Sequence, residues 1–372
     1  YEWLRREHPV YHNAELDFWV LSRYADVEWA ARRPEIFSSA QGIGPDRQEG
    51  VSMITKDPPE HTRLRKLVSK AFTPRMVSQL EPRIRAITDE LLDAVIGKGA
   101  FDLVQDLAYP LPVIVIAEML GVDPERRDDF KRWSDDVIHI VAAGQNETRM
   151  AQYMESWEAF KAYSVEMIEA RRRAPRDDLV SALVQAQEER DALTLSELLN
   201  ACLLLLVAGN ETTTNLIGNG ALALFTNAEE GLKVRQQPEF IPGMIEEVLR
   251  YDSPIQGTFR TTTEAVDVRG VTIPADSKVL LLWASANRDP EVFPDPDRFD
   301  IERPIDRHLA FGIGIHFCLG APLARLEARV ATETILHRMH RVEPEPSGMI
   351  ERVDNPFFRG LKHYPLVFEP MR

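Results

Sequence analysis

Between Pro59 and about residue 250, apolar positions recur at helical spacing, and the pattern is interrupted at Pro74, Gly97, Pro110, Pro112, Pro124 and Pro175. The spacing predicts a succession of helices with breaks at those residues. Upstream, residues 15–22 (ELDFWVLS) alternate in strand fashion, and 38–50 (SSAQGIGPDRQEG) is a polar, glycine-containing loop expected to act as a lid. Downstream of Arg250, EAVDVRG, VTIPA and KVLLLWASAN read as short strands and RDPEVFPDPDRFD as a proline-rich meander. A last long helix over about 319–339 and a hairpin-like NPFFRGLKHYPLVF complete the pattern. The fold class expected is mainly α with small β-sheets, a helical body beside a minor β region. Without a repeat, a low-complexity tract or a Gly/Ser-rich linker, residues 1–372 read as one domain. Tyr1 is not an initiator methionine, so a short N-terminal segment upstream is expected.

Composition narrows the function classes. The chain is 44% hydrophobic and 28% charged, as in globular proteins, and its net charge of −15 argues against a nucleic-acid face and against charge-driven binding to an acidic membrane. Two cysteines make no disulfide framework and suit a reducing cytoplasm. Apolar runs such as LLLLVAG fall short of the ~20 residues that span a bilayer, so no membrane anchor is expected.

The chemistry concentrates at FGIGIHFCLGAPLAR, residues 311–325. Cys318 follows a glycine-rich loop at the start of a helix, where free N–H groups and the helix dipole favour a thiolate. Gly312, Gly314 and Gly320 let the backbone turn tightly and a flat ligand approach, and Phe311 is placed to shield the sulfur. Taken alone, such a cysteine is more often structural, and a zinc site needs more ligands than His316 and Cys318. One thiolate with an open opposite side suits haem iron. Farther upstream, LLLLVAGNETTTN (203–215) sets a glycine, a carboxylate and threonines in an apolar helix. There the Thr212 hydroxyl is expected to bond back to the Ala208 carbonyl and open a groove. EEVLRYDSP puts Glu247 and Arg250 three apart on one helical face, and DPPEHTRLRK puts His61 and Arg65 at i and i+4.

The cysteine segment resembles the haem-binding signature of the cytochrome P450 superfamily at each defining position, and the other motifs occur in the family's order along nearly the whole chain. The resemblance implies the P450 fold, with haem b buried between a distal helix and a proximal cysteine loop, and Cys318 as the axial ligand. It implies that Ala208 and Gly209 form an oxygen-binding groove and that Glu211 and Thr212 deliver protons to dioxygen. His61, Arg65, Arg260 and His316 match the ligands of the haem propionates. Glu247 and Arg250 are expected to lock with a meander arginine, taken as Arg298, in a structural role. By family analogy the substrate pocket is lined by Leu204, Val207, Ile255, Gln256, Thr258, Phe357 and Phe358, with the 38–56 loop and the 135–160 segment. Gln256 and the polar loop hint at oxygen functions on the ligand. Cys202 is read as structural.

The implied activity is that of a monooxygenase inserting one atom of O2 into a largely apolar small molecule, by hydroxylation or epoxidation. No strand, glycine-rich turn and helix unit for flavin or nicotinamide is found, so NAD(P)H acts only indirectly. A ferredoxin or flavodoxin with its reductase is the implied donor to a cytoplasmic monomer resembling the bacterial members. Arg63, Lys66, Lys70, Arg325 and Arg329 are expected to form the basic patch on which an acidic donor docks. A haem-based sensor, a peroxide-driven peroxygenase and a scaffold are the alternatives, and the Glu211 and Thr212 pair counts against all three.

Overall fold

Prolines, glycines and polar caps set the boundaries of the helical body. The structure is a computed structural model and describes every residue except 48, 49, 51, 134, 135, 137–146, 186–192 and 372. Its principal helices are α1 (Glu2–Glu7), α2 (Tyr24–Ala31), α3 (Glu60–Ala71), α4 (Pro74–Gln79), α5 (Glu81–Ile96), α6 (Pro110–Leu120), α7 (Glu147–Arg173) and α8 (Leu179–Gln185). They continue with α9 (Leu195–Thr226), α10 (Ala228–Gln236), α11 (Ile241–Tyr251), α12 (Trp283–Ala286) and α13 (Ala321–Arg338). The Thr73 side chain accepts from the Met76 N–H ahead of Pro74, and Gly97 follows the last residue of α5. Pro112 is no break: with Pro110 it lies in the first turn of α6, where a missing N–H forfeits no helical bond.

Helix α9 is the central element, 32 residues long. Thr194 opens it with a capping box, its hydroxyl accepting from the Glu197 N–H at 3.2 Å while the Glu197 carboxylate accepts from the Thr194 N–H at 2.7 Å. The helix runs unbroken past Gly209 and the threonine run because α6, α11 and α13 pack along it. The stretch Leu103–Leu120 has a membrane span's length and apolarity, with a mean hydropathy of 1.5 over 18 residues, yet 67% of it is buried inside the fold. It serves as a core segment against α9.

The strands are β1 (Val10–Asn13), β2 (Phe18–Leu21), β3 (Phe37–Ser38), β4 (Ala100–Asp102), β5 (Thr258–Thr262), β6 (Val266–Val268), β7 (Val271–Ile273), β8 (Lys278–Leu281), β9 (Met339–Pro344), β10 (Glu351–Arg352), β11 (Leu361–His363) and β12 (Pro365–Pro370). A five-stranded sheet in the order β1-β2-β8-β5-β3 carries its own core, which includes Leu21, Phe37, Val279, Leu281 and Trp283. The larger core belongs to the helices. Two expectations are corrected. KVLLLWASAN is a strand only to Leu281 and then turns into α12, and the C-terminal segment is not a hairpin, since β11 pairs with β10 while β12 pairs with β4 and β9. Alternation identifies a strand; its partner is chosen by the neighbours the fold supplies.

Candidate active site

The cysteine loop is built by two left-handed glycines. Gly312 and Gly314 have φ of 64° and 73°, and a Cβ on Gly314 would stand 2.9 Å from the Ala31 carbonyl, so glycine is required there twice over. Gly320, just before α13, has φ −80° and needs no such freedom; an added Cβ would lie 3.9 Å from the Cys318 sulfur. The Cys318 N–H closes the loop onto the Phe311 carbonyl at 2.9 Å. Phe311 lies between His308 and Phe317, with the Arg325 guanidinium 4.5 Å over its ring. Burial pushes the Cys318 thiol up, outweighing the N–H groups of Gly320 and Ala321 and the charges of Arg65 and Arg325. The helix terminus by itself therefore does not give a thiolate.

Beside the loop, four cationic or imidazole side chains converge from α3, β5 and the loop itself. The His61 and His316 rings are 4.5 Å apart, Arg65 donates to the Phe317 carbonyl at 2.6 Å, and Ser39 Oγ meets His316 Nε2 at 3.2 Å. Arg260 is 7% exposed, and its guanidinium has only neutral acceptors, the Phe259 carbonyl at 2.7 Å and Thr258 Oγ1 at 3.3 Å. Neither ring nitrogen of buried His61 has a hydrogen-bond partner. Burial, then the neighbouring Arg260, His61 and Arg65, hold the His316 imidazole down to about 3, and burial lowers Arg260 to about 10. No described carboxylate bonds to any of the four. So many buried donors without an anion are costly, and a ligand carrying two carboxylates fits them.

Helix α9 presents an open face at Ala208 and Gly209. The Thr212 hydroxyl donates to the Ala208 carbonyl at 2.9 Å, as the sequence predicts. Ala208 is exposed, and a Cβ on Gly209 would meet nothing within 4 Å. Glu211 and Thr212 are half-buried on this stretch. Behind it, Glu327 of α13 is 1% exposed, bonded to Thr213, and burial raises its carboxyl to about 8. Pattern alone gave no sign of it, because a glutamate in LARLEAR reads as a solvated helix face.

The Glu247 and Arg250 pair is fully buried and bidentate, at 2.7 and 2.8 Å. Its third member is Arg303, not Arg298. Arg303 Nε lies 3.4 Å from Glu247 and the guanidinium donates to the carbonyls of Pro294, Asp295 and Arg298. The Arg298 side chain is 64% exposed beside Asp300, and only its carbonyl joins the cluster. Both arginines sit in irregular backbone, where no periodicity says which side chain turns inward.

Among the pocket candidates, Phe357 stacks edge-on to Phe259, Phe358 bridges Ile255, and Leu204 and Val207 are half-buried on α9. Gln256 is buried with its amide engaged, accepting from the Tyr1 hydroxyl at 2.7 Å and donating to the Ser253 carbonyl at 2.8 Å. Thr258 is taken by Trp283 Nε1 and Arg260. Neither is evidence of a polar ligand. Parts of the 38–56 loop (48, 49 and 51) and of the 135–160 segment (135 and 137–146) lie outside the described residues. The basic patch is also largely neutralised: Arg63 pairs with Glu197, Arg325 bidentately with Glu246, and Arg329 with Glu81 and Glu333. Lys66 stays exposed, and the side chain of Lys70 lies outside the described residues.

A mainly helical fold with a thiol at the head of α13, a back-bonded threonine beside small residues on α9 and a cluster of cations beside the cysteine loop matches what a haem-thiolate protein requires. The family model "Cytochrome P450" matches residues 15–367, and the chain belongs to that family as a cytochrome P450 monooxygenase. It is similar to Cytochrome P450 107B1 of Saccharopolyspora erythraea, with 44% identity covering 94% of this chain and 89% of the relative. It is also similar to the steroid C26-monooxygenase of Mycobacterium tuberculosis, with 40% identity covering 100% and 93%. The structure of Cytochrome P450 CYP109Q5 from Chondromyces apiculatus superposes with a TM-score of 0.91 at 45% identity, covering 99% of this chain and 94% of that one.

Proposed function

We propose that this chain hydroxylates or epoxidises a largely apolar small molecule with O2, drawing two electrons from a cytoplasmic ferredoxin or flavodoxin system. The single observation that carries the reading is the cluster of His61, Arg65, Arg260 and His316, buried or half-buried beside the cysteine loop with no carboxylate hydrogen-bonded to it. Haem b fits there, its propionates held by those four residues and its iron by Cys318. When bound, haem supplies the oxygen-activating redox chemistry, and the protein supplies position and protons.

Cys318 would serve as the thiolate ligand, in a loop held by the stack of Arg325 on Phe311. Glu211 and Thr212 move protons towards the open face of α9. The Thr212 hydroxyl, spending its hydrogen on the Ala208 carbonyl, keeps its lone pairs turned to the groove, where it holds a proton donor in place. Leu204, Val207, Ile255, Phe357 and Phe358 orient an apolar substrate and exclude water. An acidic donor docks at the proximal face on Lys66, since Arg63, Arg325 and Arg329 are already paired. NAD(P)H acts only through the reductase, and the chain works as a single-domain monomer.

The test is the absorption spectrum of the dithionite-reduced protein with carbon monoxide. A strongly red-shifted Soret band, lost in Cys318→Ser, is the expected outcome; a band typical of histidine or thiol ligation overturns the role of Cys318. Turnover of an apolar substrate when electrons are supplied separates this reading from a sensor, and dependence on reductant rather than peroxide separates it from a peroxygenase.

A further inference from the structure

A second cavity, of about 280 Å³, lies away from the cysteine loop, between the C-terminal half of α9, helix α10, the far end of α13 and strands β9 and β12. Ile217, Leu224 and Phe225 line it from α9, Leu232 from α10, and Ile335 and Leu336 from α13. None of these takes part in the site described above. Gly231 lets α10 come close: a Cβ there would stand 2.5 Å from the Leu224 carbonyl. The volume is near the lower end of ordinary ligand pockets and about twice the ~150 Å³ that admits benzene. At ~30 Å³ per water-sized group it holds a chain of about ten carbons.

The polar groups are few and of one sign. Of the side chains lining the cavity only Thr332 and Arg235 are polar, and the Thr332 hydroxyl is spent on the Ala328 carbonyl at 2.8 Å. Arg235 is exposed and makes no hydrogen bond or ion pair with any described residue, while its neighbour Lys233 takes both Glu230 and Glu302. No carboxylate lines the cavity. Leu232, 54% exposed, stands on the same helix beside this free cation. An apolar chamber with one unpartnered guanidinium at its edge complements an amphiphile with a single negative head.

We propose that this cavity is a binding site for a medium-chain alkyl carboxylate, the chain lodged between α9, α10 and α13 and the carboxylate on Arg235. An occupant would touch both helices that carry the active site, at the ends far from Cys318 and Thr212.

The experiment is calorimetric titration of the ferric, haem-loaded enzyme with decanoate and with decanol, the Soret band being recorded in parallel. Saturable decanoate binding beyond what the Soret band reports is the expected result. Arg235→Ala should weaken decanoate at least about fivefold and leave decanol unchanged, and Arg235→Lys should largely restore it. Ala221→Phe, which fills the cavity, should remove both ligands. Arg235 is a surface residue, so its variants fold whether or not the filled variant does. Decanoate binding wholly accounted for by the Soret shift, an unchanged affinity in Arg235→Ala, or no saturable binding overturns the proposal.

Discussion

Two buried ionic clusters stand at opposite levels of completion. In one, Glu247 and Arg250 are both 0% exposed; the carboxylate receives Arg250, the Asp300 N–H and Arg303, and Arg250 spends its other donors on the carbonyls of Asn287, Pro296 and Arg298. Each charge has an opposite charge, and nearly every donor has an acceptor. In the other, His61, Arg65, Arg260 and His316 crowd together on neutral acceptors, and the nearby Asp57 carboxylate is spent on Ser38 and Ser39 rather than on any of the four. The difference is the one expected between a cluster that fixes a fold and one proposed to hold a ligand. The first is satisfied by the chain, whereas the second has donors to spare for the anion proposed above.

The comparison is broken most severely at the closed cluster. Glu247→Gln leaves Arg250 and Arg303 buried without their anion and should cost about 3–5 kcal/mol in urea unfolding, while Arg298→Ala should change stability by less than about 0.5 kcal/mol. Equal effects of the two would return the third position to Arg298. At the open cluster the sign reverses. Arg260→Leu should leave the haem-free protein as stable as before or more so, yet weaken haem retention by roughly 2–5 kcal/mol in a transfer assay to apomyoglobin. A haem-free protein that loses stability on this change would show that Arg260 already has its partner in the chain.

Smaller changes sharpen the contrast between the faces of α9. Thr212→Ala removes the bond to the Ala208 carbonyl and should keep haem and substrate while diverting reducing equivalents to peroxide. The ratio of product to reductant consumed is the measurement, and an unchanged ratio removes Thr212 from proton delivery. On the opposite face, Glu327 gives a pH effect. Its carboxyl titrates near 4.5 when unfolded and about 8 when folded, so only the unfolded chain releases the proton in between. Stability is therefore lost as pH rises from about 4.5 to 8, by up to about 1.4 kcal/mol per pH unit. Glu327→Gln should flatten that slope, becoming the more stable protein at pH 8 but not at pH 5; parallel melting curves for the two across this range would place the Glu327 proton elsewhere.

Much of the fold was legible. Helical spacing from Pro59 to Arg250, the alternation at 15–22 and the last helix are local patterns, and each corresponds to an element in the structure. Strand pairing in the C-terminal segment was not, because alternation marks a face without naming the neighbour. Pro112 shows the same limit in a helix: the residue is a breaker or a harmless first-turn proline according to where the helix begins.

For the site, the sequence by itself determined several local geometries. The left-handed φ at Gly312 and Gly314, the place of Cys318 before α13 and the back-bond of Thr212 to Ala208 all follow from interactions within a few residues. Tertiary structure alone decided how charges far apart in the chain pair and how deeply they are buried. It replaced Arg298 by Arg303, neutralised Arg63, Arg325 and Arg329, occupied Gln256, buried Glu327 and raised rather than lowered the Cys318 thiol. Spacing fixes which residues can share a local face, but the cost of a charge depends on the water and counter-charges around it, and those come from the whole fold.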